Sequence, residues 1–161
     1  MVTIEARETK FLERLFLSSG LYAGLVIFIV LEVLLLSKEG LQTYQYLLLQ
    51  CILFILLLIF FFICYGKARQ YINRIEAGDK GIILHVSEFD TEQDPVEIPW
   101  TDLRVKYEKS LVAKYPTYSL ELSSKTGMVK VKQHQLVYWN RENLEKAYRI
   151  IDEARTKLMD S

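Results

Sequence analysis

The sequence has few of the residues from which redox, metal and nucleic-acid sites are built. It contains only two cysteines, Cys51 and Cys64, and both lie in the same apolar run. On one helix they would be about 20 Å apart, so they cannot form a disulfide with each other, and we expect both to act as small apolar side chains. Lysine plus arginine and aspartate plus glutamate number 20 each. The chain therefore lacks the basic excess that nucleic-acid binding leaves, and we predict no nucleic-acid partner.

Sequence patterns of catalytic and metal sites are also missing. There is no glycine-rich phosphate loop, nucleophile elbow or paired-carboxylate pattern. The two histidines, His85 and His134, fall in predicted strands, and a zinc site would need further ligands. Asp90, Glu92 and Asp94 alternate, but without the glycine and terminal glutamate of an EF-hand loop. We therefore predict a protein that is not an enzyme, with no catalytic residue, no bound metal and no cofactor.

What the chain has instead is two long apolar runs. Residues 15–36 and 46–65 each form a run of about 20 residues, which as a helix spans about 30 Å, the hydrocarbon thickness of a bilayer. Within lipid, a helix satisfies its backbone polar groups internally. We therefore predict a transmembrane hairpin over 15–65, with spans at about 15–36 and 46–65.

The distribution of lysine and arginine predicts how this hairpin is oriented. Basic residues cluster before the first run and after the second, whereas the connection at 37–45 holds one lysine and one glutamate. By the positive-inside rule, both termini are expected in the cytoplasm and the connection outside. The predicted localisation is the cell (inner) membrane, as a multi-pass protein in contact with the lipid bilayer.

Polar and small residues within the hairpin are candidates for function. Glu32 is the only charged residue in either run, and an ionisable residue in a span is by default a functional hypothesis. Gln50 falls at the same depth, so the two side chains could hydrogen bond; the carboxylate could instead face a partner protein or handle protons or ions. Gly20 and Gly24 have the spacing that lets helices approach closely. They could pack the hairpin against its own bulky region at 58–62 or face another subunit.

The segments that flank the hairpin are predicted to be membrane-proximal. Residues 1–14 form a cytoplasmic amphipathic leader, which either lies in the membrane interface or continues the first helix. Residues 66–79 form a juxtamembrane linker, in which a helical extension runs to Ala77 before Gly78 stops it. Basic residues such as Lys67 are suited to lipid headgroups.

Residues 80–161 predict a small cytoplasmic domain rich in β-structure. Alternating or β-branched segments predict short strands at 81–87, 96–100, 103–107, 118–122 and 128–132. Asn140 then caps an amphipathic helix that continues to about Met159. The predicted fold class is a membrane α-helical hairpin plus an α+β domain, in which a small antiparallel sheet or partial barrel is closed by the C-terminal helix.

The last predicted strand carries a basic face. Met128, Lys130, Lys132 and His134 project to one side of it. Close to an anionic leaflet, Lys130 and Lys132 could each gain roughly 1 kcal/mol from anionic lipid, or they could contact a protein partner. The alternative is that this face is simply the solvent side of a half-buried sheet.

One stretch of the domain carries a family resemblance. The sequence Ile98-Pro99-Trp100-Thr101-Asp102-Leu103, followed by further strands and a closing helix, is similar to the bacterial pleckstrin-homology-like domains, which often follow a pair of membrane helices. In architecture the resemblance covers about residues 45–159. It implies that Trp100 packs into the core. The strand region is shorter than the usual barrel of that family, so a partial barrel remains an alternative.

Together these features predict a membrane-anchored accessory, assembly or regulatory subunit that binds a protein partner at the cytoplasmic membrane. A β domain held at the bilayer offers surfaces and edges for pairing. The partner could be a larger membrane protein complex or a second copy of the chain. One alternative is an immunity protein that intercepts a membrane-targeting toxin through Glu32 and the 37–45 loop. Another is a small oligomeric transport component that uses Glu32.

Overall fold

The structure of the protein is a computed structural model. It describes residues 2–17, 19–37, 42–112 and 115–159. The helices are α1 (Phe11–Phe16), α2 (Ser19–Leu36), α3 (Thr43–Arg69) and α4 (Arg141–Met159). The strands are β1 (Val2–Glu5), β2 (Gln70–Ala77), β3 (Gly81–Glu88), β4 (Thr91–Glu92), β5 (Val96–Pro99), β6 (Leu103–Val112), β7 (Tyr115–Ser124) and β8 (Lys130–His134).

Helices α2 and α3 contain most of the two apolar runs. In the described part of the chain, α3 is long and apolar enough to cross a membrane, whereas the apolar stretch Leu21–Leu36 of α2 is shorter. The 27 residues of α3 correspond to a length of about 40 Å. The predicted run 15–36 is divided, because its first residues belong to α1 and α2 begins at Ser19. Most of the predicted loop 37–45 lies outside the described residues.

The segments before and after the helices are strands, so two predictions were wrong. The leader does not simply continue the first helix, because its residues Val2–Glu5 form β1, which pairs antiparallel with β2, with Ile4 opposite Ile75; only its last residues, from Phe11, are helical. The helical extension to Ala77 is also absent, because α3 ends at Arg69 and β2 follows directly. The physical reason is burial: β2 places large side chains in the core of the domain, and Ile4 packs against that core.

The strands form two antiparallel sheets. The first has five strands in the order β1-β2-β3-β4, with β5 also paired to β3, and the second has the order β6-β7-β8. Among the described strands, the two sheets do not join into a closed barrel. The predicted α+β class with antiparallel sheets is confirmed. Strands β6 and β7 have ten residues each, longer than predicted.

The two sheets and α4 enclose one core, which we call the β-domain core. Helix α4 contributes Leu144, Ala147 and Ile151, all fully buried. As predicted, Asn140 caps this helix, because its Oδ1 accepts a hydrogen bond of 2.9 Å from the backbone N–H of Asn143. The amphipathic helix thus covers the apolar faces that the sheets leave open.

The sheets are bridged at a bulge in β2. The register of β2 against β3 shifts between Ile72 and Arg74. The backbone N–H of Ile72 donates a hydrogen bond of 2.8 Å to Gln133 Oε1, and its carbonyl accepts one of 2.8 Å from Trp139 Nε1. Gln133 and Trp139 are fully buried. Two side chains therefore satisfy the backbone groups that the bulge removes from the sheet.

Candidate functional site

A turn of the β domain is inserted between α1 and the end of α3. The ring of Phe89 lies 5.2 Å from the ring of Phe11 and 5.8 Å from that of Tyr65, and Phe11 and Tyr65 are 5.4 Å apart, all measured between ring centroids. Phe89 has a φ of 56°, in the left-handed region that a bulky residue rarely adopts. Such backbone persists only where the surrounding contacts determine it. We call these three aromatic residues, with Arg14 and Asp90, the junction cluster.

The same turn caps α1. Asp90 Oδ1 accepts a hydrogen bond of 2.5 Å from the backbone N–H of Phe11, while Lys10, the residue at the N-cap of α1, provides no side-chain cap. A carboxylate at a helix N-terminus satisfies a free N–H group and interacts favourably with the helix dipole. A short helix that forms poorly alone is thus stabilised by the β domain.

Arg14 is the buried charge of the junction cluster. Its side chain is 1% exposed. The guanidinium donates hydrogen bonds to the carbonyl oxygens of Thr9, at 3.1 Å, and of Phe89, and it lies 4.9 Å from the ring centroid of Tyr71. Burial lowers the pKa of Arg14, while the nearby Asp90 and Tyr71 act in the opposite direction. Arg14 therefore connects α1, the inserted turn and β2 through a single side chain.

Within the hairpin, the predicted hydrogen bond is present. Gln50 Nε2 donates to Glu32 Oε2 at 2.6 Å and lies 3.1 Å from the hydroxyl oxygen of Tyr46. Gly24 is buried, and a Cβ added there would lie 2.9 Å from Cδ1 of Phe60. The absence of a side chain at this glycine therefore serves packing of α2 against α3, which is one of the two alternatives for the predicted small-residue motif. Gly20 lies in α2, and its surroundings are outside the described part of the structure.

The predicted basic face is largely paired with glutamates. Lys132 Nζ lies 2.6 Å from Glu108 Oε2, and Lys130 Nζ lies 3.2 Å from Glu121 Oε2. Glu108 also pairs with Lys106 at 2.5 Å. Hydrogen bonds from Lys106 and Lys132 lower the pKa of Glu108 to about 2. The positive charge that an anionic-lipid contact needs is therefore largely offset on this face, as expected for the solvent side of a sheet.

The other predicted residues have structural surroundings. Trp100 is buried in the β-domain core and donates a hydrogen bond of 2.9 Å from Nε1 to the carbonyl oxygen of Gly78. His85 Nε2 lies 3.2 Å from Glu76 Oε1. Cys51 and Cys64 are free cysteines. In the described ranges, no group of three or more histidine, cysteine, aspartate or glutamate side chains is placed to hold a metal ion.

The junction cluster was not identified from the sequence. In the sequence, Arg14 is only one of the basic residues before the first run, and Phe89 and Asp90 lie in an acidic segment that shows no site pattern. A phenylalanine inside an acidic turn was the one local signal that this turn contacts something apolar. No protein-family model, curated protein or solved structure matches this chain, so the function must be argued from the geometry of its own residues.

Proposed function

We propose that this chain is a membrane-anchored accessory subunit. In this proposal α2 and α3 form a two-span hairpin with both termini in the cytoplasm, and a pleckstrin-homology-like β domain is held at the membrane surface to bind a protein partner. The observation that carries the proposal is the junction: α3 continues into β2 without a linker, and the junction cluster fixes the domain against the helices. A domain fixed in this way presents one defined surface to a neighbour in the membrane.

The exposure of the helices supports their placement in a bilayer. Only 6% of the most apolar window of α3 is buried, which supports a helix that faces lipid over the buried core helix of a soluble protein. Large apolar side chains on both helices are exposed, such as Val26 at 58% and Phe62 at 66%. A water-soluble monomer rarely exposes a contiguous apolar surface of this size, whereas lipid accommodates it. The positive charge on both flanks supports cytoplasmic termini.

The position of Glu32 favours the accessory role over transport. Its carboxylate accepts a hydrogen bond from Gln50 on the neighbouring helix, so it stabilises the hairpin itself. To take part in transport, Glu32 would have to face a water-filled path. The hydrogen bond supports a structural role for Glu32, which leaves partner binding to the surfaces of the hairpin and of the β domain.

The membrane topology can be tested directly. Reporter enzymes that are active only in the cytoplasm or only outside it are fused in turn to the N-terminus and to the C-terminus of the full-length chain. We expect both fusions to be active on the cytoplasmic side. Activity of either fusion on the outer side would contradict the two-span hairpin with cytoplasmic termini.

The partner is tested by affinity purification of the tagged full-length chain in a gentle detergent, with mass spectrometry of the bound proteins. We expect a membrane protein in a stoichiometric amount. A flexible glycine-serine insert after Arg69, made together with Phe89→Ala to remove the aromatic contacts of the junction cluster, uncouples the domain from α3 and should reduce recovery of the partner at least tenfold. The matched control places the same insert in the exposed turn at Gly127 and should leave recovery unchanged. Recovery of the chain alone, also after cross-linking in intact cells, would refute the accessory role.

A further inference from the structure

One side of α1 carries two large apolar side chains that are exposed. Phe11, Arg14 and Leu15 form the side of this helix that packs against the rest of the protein. Leu12 and Phe16 lie outside that packed side and are 60% and 56% exposed. Because they are four residues apart, they are neighbours on the helix surface. The short helix therefore has a second, uncovered apolar side.

The packed side of α1 shows at which level of α3 the helix lies. Leu15 packs with Cys64 and Ala68, and the rings of Phe11 and Tyr65 are 5.4 Å apart. The apolar run at 46–65 ends at this level, and basic residues follow it. In the proposed membrane placement, this part of α3 passes from the hydrocarbon into the headgroup region of the cytoplasmic leaflet. Because α1 packs against it, α1 lies at the same depth.

The exposed apolar surface of α1 continues along the chain into α2. Leu17, the C-cap residue of α1, is also exposed. Helix α2 begins at Ser19, and its large apolar side chains, such as Val26, are exposed as well. Lys10 and Glu13 are exposed charged residues at the start and in the middle of α1. A helix that combines charged residues with an apolar side is typical of the membrane interface.

We propose that the exposed side of α1, formed by Leu12 and Phe16, binds lipid at the boundary between the headgroups and the acyl chains of the cytoplasmic leaflet. In water both side chains stay hydrated, whereas this boundary removes their apolar surface from water. A helix of six residues does not form alone in water. Here the cap from Asp90 and the contacts of the junction cluster already hold it in place, so binding lipid does not have to order it.

This contact gives the β domain a second attachment to the membrane. Helix α1 is bound to the inserted turn by the hydrogen bond of 2.5 Å from the Phe11 N–H to Asp90 Oδ1, and by the one from Arg14 to the carbonyl oxygen of Phe89. The first attachment is α3, which continues into β2 after Arg69. Two separate attachments restrict the tilt of the domain against the membrane more than one does. The inference rests on the proposed function only for the membrane placement of α2 and α3, and it requires no protein partner.

Spin labels on the full-length chain in nanodiscs of phosphatidylcholine test the contact. The free cysteines Cys51 and Cys64 are replaced by alanine, and single cysteines are introduced as Leu12→Cys or Phe16→Cys. Electron paramagnetic resonance measures the collisions of each label with oxygen, which concentrates in lipid, and with a nickel chelate, which stays in water. We expect the oxygen-to-nickel collision ratio at both positions to be severalfold higher than at Met128→Cys. Met128 is the matched reference, because it is a large apolar residue that is 89% exposed between β7 and β8.

The contrary results have different meanings. A ratio at positions 12 and 16 equal to that at position 128 would overturn the proposal. Low collision rates with both reagents would show that protein covers this side of α1, in this preparation a second copy of the chain, and would overturn the lipid assignment. A label at Val26→Cys reports on the membrane placement of α2. If position 26 contacts lipid while positions 12 and 16 contact water, only this inference fails; if position 26 contacts water, the proposed function fails as well.

A second variant tests the attachment without a label. Leu12→Gln with Phe16→Gln removes the apolar groups and introduces a good helix former at both positions. Because both residues are exposed, it removes no core packing. The Tm of the β domain, followed by the fluorescence of Trp100 and Trp139 in the same nanodiscs, should fall by roughly 2–4 °C, the shift of one modest interaction in a chain of this length. Met128→Gln should leave it unchanged, and an equal Tm in the two variants would contradict the attachment.

Discussion

The bridge between the two sheets at Ile72 gives the sharpest prediction about stability. Gln133 Oε1 accepts the hydrogen bond of the Ile72 N–H at 2.8 Å, and its Nε2 donates to the carbonyl oxygen of His134 at 2.8 Å. Leucine has nearly the shape of glutamine but no polar atoms. The substitution Gln133→Leu therefore leaves the core filled while it removes the acceptor from a buried backbone donor.

The magnitude follows mainly from the buried Ile72 N–H, because the His134 carbonyl, which also loses its bond to Gln133, is only part-buried. A buried donor without an acceptor costs about 1–3 kcal/mol, while a filled core adds no cavity cost. We expect Gln133→Leu to lower the free energy of unfolding by about 2 kcal/mol. For a chain of this size, that corresponds to a decrease in Tm of roughly 4–8 °C.

The assay uses the position of the tryptophans. Trp100 and Trp139 are the only two in the chain, and both are buried in the β-domain core. Thermal unfolding of the full-length chain in detergent, followed by tryptophan fluorescence, therefore reports on the β domain and not on α2 and α3. Gln135→Leu is the matched control, because the same substitution is made at an exposed residue. Its Tm should change by no more than about 2 °C, in line with surface substitutions.

The result that would refute this reasoning is a Tm for Gln133→Leu equal to that of Gln135→Leu. In that case the Ile72 N–H finds another acceptor, and the bulge does not depend on the second sheet. Trp139→Phe provides an independent check, because it removes the donor to the Ile72 carbonyl. It should be at least as destabilising, since it also removes buried aromatic area.

Three further predictions concern packing, burial and pH. Gly24→Leu should lower the Tm of the hairpin, measured by circular dichroism at 222 nm, because a side chain at this position would meet the ring of Phe60. Adding Phe60→Ala to the same chain should restore most of the lost Tm. If it restores none, the contact between positions 24 and 60 is contradicted. Arg14→Met should lower the free energy of unfolding by about 2 kcal/mol or more, because it removes charged hydrogen bonds from two carbonyl groups. Arg7→Met, at an exposed position, should lower it by less than about 0.5 kcal/mol in the same thermal unfolding assay. Folding lowers the pKa of His134 from 6.5 to about 4. As pH falls from 6.5 to 4, the unfolded chain therefore binds this proton before the folded chain does, and stability is lost. His134→Gln should reduce the decrease in Tm between pH 7 and pH 5, and an unchanged decrease would contradict this.

The sequence predicted those elements whose signal is local. Helix α4 has its cap at Asn140 and its apolar residues at helical spacing, and β3 has a β-branched run bounded by glycine and polar residues. The hydrogen bond between Glu32 and Gln50 could be predicted because two apolar helices joined by a short connection place residues at equal distances from that connection side by side. In each case, the residues that determine the structure lie within one element or one hairpin.

The predictions that were wrong depend on contacts between distant parts of the chain. The segment after Arg69 contains good helix formers, but it is a strand because it pairs with β3 and with the distant β1. Its residues Tyr71, Ile72 and Ile75 are buried in a core that includes residues of α4, far along the chain. Helix propensity is a weak preference that tertiary contacts override. Residues 2–5 likewise have little structure of their own and become β1 because β2 offers them an edge. No local pattern could predict that Arg14 would be buried.

The junction cluster supports the proposal that the β domain presents one defined surface to a partner, over the alternative of a loosely tethered domain. Continuity of α3 with β2 fixes a distance but leaves the β domain free to swing. Insertion of Phe89 between Phe11 and Tyr65 opposes that swing, and the hydrogen bonds of Arg14 to two carbonyl groups oppose rotation about the axis of α3. The left-handed backbone at Phe89 costs of order 1–3 kcal/mol, a cost that a loosely tethered domain would have no reason to bear. The same fixed orientation keeps β8 in contact with α3, so a second element of the β domain also opposes the swing.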